Sequence, residues 1–313
     1  MSNVVIQMKR EELSAVKEYY LDAIVSMPQN ALFLAKVNGT SITAYASGKV
    51  MFQGTDSQTE ANKWLQKGGT VASSSKKKAS KSVNDHDYAP SNDIFTSAHI
   101  GTDEAGTGDY FGPITVSAVF VSEDQIDYLK KLGITDSKAL TDDRIRSLAK
   151  EIVRAEIPYT LLTMDNAKYN RLQEKGWNQG KMKAMLHHYA IEKLMVKIDE
   201  EQPVLIDQFC QPSVYMKYIG TEGGELRPDT FFMTKAESHS TSVAAASILA
   251  RAKFVKEMDL LSQRFGVTIP KGASAKVDET AAYLIKKRGR DVLKDAAKIH
   301  FANTEKAMKY LNK

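Results

Sequence analysis

Residues 72–94 read ASSSKKKASKSVNDHDYAPSNDI, a tract too poor in large apolar side chains to join a hydrophobic core. A chain of 313 residues interrupted there has to build one core before the tract and another after it. The expected organisation is a small domain over 1–72, a solvated linker over 73–94 and a larger domain over 95–313. Lys76, Lys77 and Lys78 read first as a solvated face of that linker, with backbone phosphates as passing partners.

Ahead of the tract, Val4 to Met8 has strand character and Glu11 to Ile24 the spacing of an amphipathic helix. Three further strand-like runs, Leu32 to Val37, Ser41 to Ala46 and Val50 to Gln53, are joined at Asn38-Gly39 and Ser47-Gly48, where tight hairpin turns need glycine. Thr55 to Gln66 then reads as a capped helix, which predicts a small α+β domain with helices on one sheet face. After the tract, strands at 97–103, 114–121, 158–164, 203–207 and 230–234 alternate with helices at 142–155, 180–198 and 242–265. Two further helical pieces follow between 278 and 311. That succession predicts a three-layer α/β domain.

Composition narrows the chemistry. Cys210 is the only cysteine, so neither an intrachain disulfide nor a multi-cysteine zinc site is possible, and a metal would be held by oxygen. The longest apolar runs are broken by charges, and acids follow the first residues closely, so the expectation is a cytoplasmic protein without a membrane span. A net charge of +5 permits a polyanionic partner without requiring one.

Acids stand at the ends of the apolar strands or at helix starts, where an open α/β sheet presents its crevice: Asp103 and Glu104, Asp207, and Glu237. Each alone is readily a cap or an ion-pair partner. Together they form a cluster that repels itself unless hard divalent cations neutralise it, which implies Mg2+ or Mn2+ and suits phosphodiester hydrolysis between paired metals. Neighbouring strand residues face opposite sides, so Glu104 is expected to reach the cluster from an irregular strand end loosened by Gly106 and Gly108. The turn Gly106-Thr107-Gly108 lets a polyanion or a sugar edge approach the backbone. Ser137 and Lys138, in the run Thr135-Asp136-Ser137-Lys138, offer a hydroxyl and a cation to a phosphate. Lys235, and in the small domain Lys36 and Lys49, complete the candidate nucleic-acid contacts.

DEAGTGDYFGP, ITDSKAL, VLIDQF and KAESHSTSVAAASILAR resemble the catalytic domain of the type 2 ribonucleases H over residues 97 to about 305. The run AYASGKVMFQGTDSQTEANKW is similar to one half-repeat of the TATA-binding protein, and that pairing of domains resembles the ribonuclease HIII branch. The resemblance implies a ribonuclease H-like mixed-sheet domain with a TATA-binding-protein-like substrate-binding domain. It also implies that Asp103, Glu104, Asp207 and Glu237 are the catalytic and metal-binding acids. Residues 106–108 fall where the ribonuclease HII branch has Gly-Arg-Gly, a segment that reads ribose hydroxyls. Threonine there, and glutamate at the fourth acid, favour the HIII branch. The activity implied is endonucleolytic cleavage of the RNA strand of an RNA/DNA hybrid, leaving 5′-phosphate and 3′-hydroxyl ends; separately, the chain is expected to be a monomer. The competing readings are incision at single ribonucleotides in duplex DNA and a non-catalytic nucleic-acid-binding module. His99, His187, His188 and His300 read as structural, His239 as a residue that could help release product, and Tyr169, Asn170, Trp177 and Asn178 as a capping loop or a stacking patch.

Overall fold

A computed structural model describes residues 3–9, 11–26, 31–65, 70–71, 86–134, 140–198 and 200–311. The chain divides into two compact units, Met1–Ser82 and Val83–Lys313.

The first unit runs β1 (Asn3–Gln7), α1 (Leu13–Tyr19), β2 (Ile24–Ser26), β3 (Phe33–Val37), β4 (Thr40–Ala44), β5 (Lys49–Gly54), α2 (Ser57–Leu65) and β6 (Thr70–Val71). The strands form an antiparallel sheet in the order β2-β3-β4-β5-β1-β6. Alternation sends Phe33, Ala35, Ile42, Ala44, Val50 and Phe52 inward, where they pack with Val16 of α1 and Trp64 of α2. Lys36, Ser41 and Gln53 lie in cross-strand register on the opposite face, with Lys36 and Gln53 exposed. The helix expected over 11–24 stops at Tyr19, because Ile24 pairs with Ala35 and extends the sheet. Tertiary pairing of a β-branched residue overrides the helical spacing there.

The second unit runs β7 (His99–Ala105), β8 (Ile114–Val121), α3 (Glu123–Leu132), α4 (Asp142–Arg154), β9 (Tyr159–Met164), α5 (Asn166–Glu174), α6 (Gln179–Met195), β10 (Val204–Asp207), α7 (Pro212–Gly220), β11 (Thr230–Met233), α8 (Thr241–Phe265), α9 (Ala275–Arg288), α10 (Val292–Ala296) and α11 (Ala302–Leu311). Its sheet has the order β11-β10-β7-β8-β9. β7, β10 and β11 are parallel, and β8 is antiparallel to both of its neighbours. The mixed sheet is buried between α6 on one face and α8 on the other, which is the expected three-layer arrangement. Helices α3, α5 and α7 escape the sequence reading because each is short. α3 nonetheless carries a capping box, with Ser122 N donating to Gln125 Oε1 at 3.2 Å.

The expected linker is too long at its C-terminal end. Phe232 N donates to the Tyr88 carbonyl at 2.9 Å, Tyr88 meets the Phe232 ring edge-on, and Ile94 is buried, so 86–94 belong to the second unit. Two apolar anchors within a polar run suffice to dock it.

Gly101 is where α8 touches β7. A Cβ there would stand 2.2 Å from Val243 N and 2.3 Å from Ser242 C, both backbone atoms that cannot turn aside. Gly101→Ala should therefore cost about 3 kcal/mol, the upper range of core overpacking, whereas Gly108→Ala, with nothing within 4 Å of its Cβ, should be near neutral. Urea unfolding of both variants checks this; equal midpoints would remove the close approach from the account.

Candidate active site

Three strand ends converge on the candidate acids. β7 delivers Asp103 and Glu104, and β10, its parallel neighbour, ends at Asp207. β11, parallel to β10, is followed by a 3-10 turn over Ala236–Ser238 that carries Glu237. Lys235 initiates that turn in the left-handed region at φ 57° and is exposed. Ala236 N donates to Asp207 Oδ1 at 2.9 Å, which ties the Glu237 turn to the end of β10.

Asp103 faces the α8 layer. It is 7% exposed and accepts from the Ser247 hydroxyl and, at 2.7 Å through Oδ1, from Glu104 N. Burial, then the charges of Glu104 and Asp207, push its carboxyl well above the usual carboxylate range. Without a cation, Asp103 is hard to ionise.

Glu104 behaves in the opposite way. β7 stays in regular register with β8 past it, as far as Ala105 opposite Thr115, so the irregular strand end expected at this residue is absent. Strand alternation sends Glu104 into the α6 layer. There Lys183 Nζ donates to Oε1 at 2.7 Å and His187 Nε2 pairs with Oε2 at 2.9 Å. Burial opposes the charge, but His187 and Lys183 outweigh it and hold the carboxyl down to about 2. The other ring nitrogen of His187 meets Thr102 Oγ1 at 2.8 Å, and Lys183 lies 4.0 Å over the Phe209 ring. Lys183 and His187 were missed as site residues. They stand four apart on a helix read correctly from sequence, so a K-x-x-x-H pair facing the acidic strand end was the available signal.

The glycine turn is held from below. Lys298, wholly buried, donates through Nζ to the carbonyls of Asp109 at 2.7 Å and Gly112 at 2.6 Å, and burial brings its amine down to about 7. Gln179 Nε2 donates to the Thr107 carbonyl at 2.9 Å. Asn170, one of the candidate stacking residues, is instead a buried clasp: its Nδ2 donates to the carbonyls of Lys294 and Ala297 at 2.9 Å each.

The three turn residues are not alike. Gly106 is buried at φ 86°, and a Cβ there would stand 2.2 Å from Pro113 O and 2.7 Å from Phe254 Cδ2, so its need for glycine comes from packing. Gly108 is exposed with open space around it, and Thr107 is half-buried. Ser137 and Lys138 lie outside the described residues. Cys210 is half-buried, and burial pushes its thiol up to about 11, so it is no nucleophile at neutral pH.

The Asp103 shift has a sign that can be checked. An unfolded Asp titrates near about 3.9. Because the folded value is raised, the ionised carboxylate destabilises the metal-free fold above that value, and the penalty fades as pH falls toward about 4. Metal-free Asp103→Asn should melt above metal-free wild type at pH 8, with the gap closing on acidification. A lower melting temperature for Asp103→Asn throughout would contradict the repulsive cluster.

The sequence model of the family described as Ribonuclease HII matches residues 100–304, and a domain of unknown function, DUF3378, matches residues 3–80. The Ribonuclease HIII of Oceanobacillus iheyensis is 56% identical, covering 99% of this chain and 100% of that protein. That of Bacillus mycoides is 48% identical, covering 100% of both chains. The crystal structure of Bst-RNase HIII in complex with Mn2+ superposes with a TM-score of 0.69 at 40% identity over 99% of both chains. Identity at this level along the whole length, under a fold with the same two parts, shows that the chain belongs to the ribonuclease HIII family.

Proposed function

We propose that this protein hydrolyses the RNA strand of RNA/DNA hybrids, leaving 5′-phosphate and 3′-hydroxyl ends, with Mg2+ or Mn2+ bound by Asp103, Glu104, Asp207 and Glu237. The observation that carries the reading is the convergence of Asp103 and Asp207 at the ends of adjacent parallel strands, with Asp207 bonded to the turn that bears Glu237. The donors are all carboxylate oxygens, the chemistry a hard divalent cation selects, and the relative Bst-RNase HIII has been crystallised with Mn2+. Among the described residues no three acids close into a ready-made ligand group, and Glu104 lies on the α6 side, away from Asp103. Glu104 joins the set by releasing Lys183 or His187.

Bound divalent cations would neutralise the scissile phosphate and lower the pKa of an attacking water. The remaining work falls to the chain itself. Thr107 and Gly108, whose amides have no hydrogen bond among the described residues, face a ribose edge, while Gln179 and Lys298 fix the turn from behind. Lys235 stands beside the acids to meet a phosphate. Lys36 and Lys49, exposed in the first unit, serve the hybrid backbone there. No helix among the described residues is long and apolar enough to cross a membrane, and we read the enzyme as a cytoplasmic monomer.

Asp207→Asn should lower cleavage of a uniform hybrid by at least roughly a hundredfold while leaving the fold intact. A labelled duplex with one embedded ribonucleotide, run beside the hybrid, separates this activity from ribonuclease HII-type incision; preferential cutting of that duplex would overturn the assignment. Gly108→Val should raise KM for the hybrid several-fold without changing the melting temperature. Unchanged KM would return the turn to a structural role. For the first unit, Lys36→Glu with Lys49→Glu should reduce the slope of log affinity against log salt by about one per lost phosphate contact. An unchanged slope would remove that sheet face from the substrate interface.

A further inference from the structure

The two edges of the catalytic sheet differ. On the β11 edge, the Tyr88 segment accepts from Phe232 N and caps the outer strand. β9, the outer strand on the other side, pairs among the described residues with β8 alone. Phe120 N donates to the Pro158 carbonyl, so alternation turns the backbone groups of Thr160 and Leu162 toward β8 and those of Tyr159, Leu161 and Thr163 outward. Of these outward groups, the Tyr159 carbonyl is met by Lys197 Nζ at 2.8 Å. Among the described residues no partner meets the rest, which form a row of strand donors and acceptors.

A cleft lies on each side of this edge. The cleft toward α8 has a volume of about 510 Å³, an apolar floor that includes Val153, Leu161 and Leu249, and a rim of Lys150, Arg154, Lys253 and Lys256 with no acid among its lining residues. The cleft toward α6, about 920 Å³, brings Lys193, Lys197 and the 88%-exposed Val196, against a single acid, Glu156. Arg154 and Lys253 are paired with helix neighbours, at 2.6 Å to Glu151 and 2.5 Å to Glu257, whereas Lys150, Lys193 and Lys256 carry no acidic partner among the described residues.

We infer that the β9 edge is a docking site for an extended acidic segment of a partner protein. The segment adds as a strand, places alternate apolar side chains in the cleft toward α8, and presents the intervening carboxylates on the opposite face to Lys193 and Lys197. Charge decides among the occupants. A second copy pairing edge to edge would set cation against cation, the arrangement by which edge strands avoid self-association. A nucleic-acid backbone would answer the cations but would leave the apolar floor and the outward strand groups without a counterpart. Docking also leaves the acids open. Leu161 is in register with Ser117 and, through it, with Asp103, so two strand spacings, roughly 10 Å, separate it from the cluster.

The test uses the full chain and a fluorescent synthetic peptide of alternating aspartate and phenylalanine or valine, with an alternating lysine peptide as control. The acidic peptide should bind saturably at low salt and the lysine peptide should not. Lys193→Glu with Lys197→Glu should weaken binding by about tenfold while hybrid cleavage stays at wild-type rate. Thr163→Pro, which removes an outward N–H from an edge strand that tolerates proline, should weaken it with the melting temperature retained. Hydrogen exchange should show new protection of the Leu161 and Thr163 amides in the complex. Absence of saturable binding, binding that survives charge reversal, or a complex without protection of those two amides would each overturn the inference. So would a hybrid oligonucleotide that displaces the peptide from wild type and loses affinity for the charge-reversed variant, because that result makes the edge a nucleic-acid surface. Should Thr163→Pro fail to fold, the charge reversal and the exchange pattern still decide.

Discussion

Two carboxylates at the ends of neighbouring parallel strands, one of them shut away from water, are the constraint around which the catalytic domain is arranged. Asp103 is buried beneath α8 and feels both Glu104 and Asp207, so its ionised form is disfavoured in the protein alone. Glu104 avoids the same fate by pointing into the other layer, where Lys183 supplies a positive charge and His187 a hydrogen-bond partner. The two halves of the acidic pair are thus handled by different layers of one sheet. Divalent cations are what would bring them to a common purpose.

The rest of the domain keeps that pair in place. α8 lies against β7 without an intervening side chain at Gly101, and the seven residues from Val243 to Leu249 are all buried. The same helix provides Ser247 to Asp103 and Phe254 beneath Gly106, so one rigid element sets both the acid and the turn beside it. Beyond it, α5 and the segment between α10 and α11 act through carbonyl groups: Asn166 and Lys298 both reach the Gly112 carbonyl, and Asn170 holds the backbone on which Lys298 sits. A positively charged turn residue is unnecessary for fixing the loop when a buried lysine does so from behind.

Much of this was legible in the sequence for a physical reason. Long apolar strands and the alanine-rich helix have strong periodicity, and acids directly after apolar runs mark the crevice edge. What escaped depended on neighbours that are distant in the chain. Ile24 became a strand because Ala35 was available to pair with it, and Tyr88 joined the catalytic unit because Phe232 N needed an acceptor. Glu104 was expected to bend toward Asp103 through a loosened strand end. The regular β7–β8 ladder sends it the other way, to a Lys-His pair on α6 whose spacing is readable in the sequence but whose place opposite β7 is not. Gly106 and Gly108 look alike in sequence, yet only the packing of Phe254 and Pro113 shows that one glycine serves the fold while the other is open to a ligand.

The central claim is that burial and the neighbouring carboxylates disfavour ionisation of Asp103 in the folded protein and that a divalent cation offsets that cost. Calorimetric titration of Mn2+ into metal-free protein at mildly acidic pH, repeated in buffers of different ionisation enthalpy, counts the protons released on binding. The account predicts net proton release on binding, lost in Asp103→Asn together with much of the affinity. Mn2+ binding with no proton release, and with the same affinity in Asp103→Asn, would contradict it.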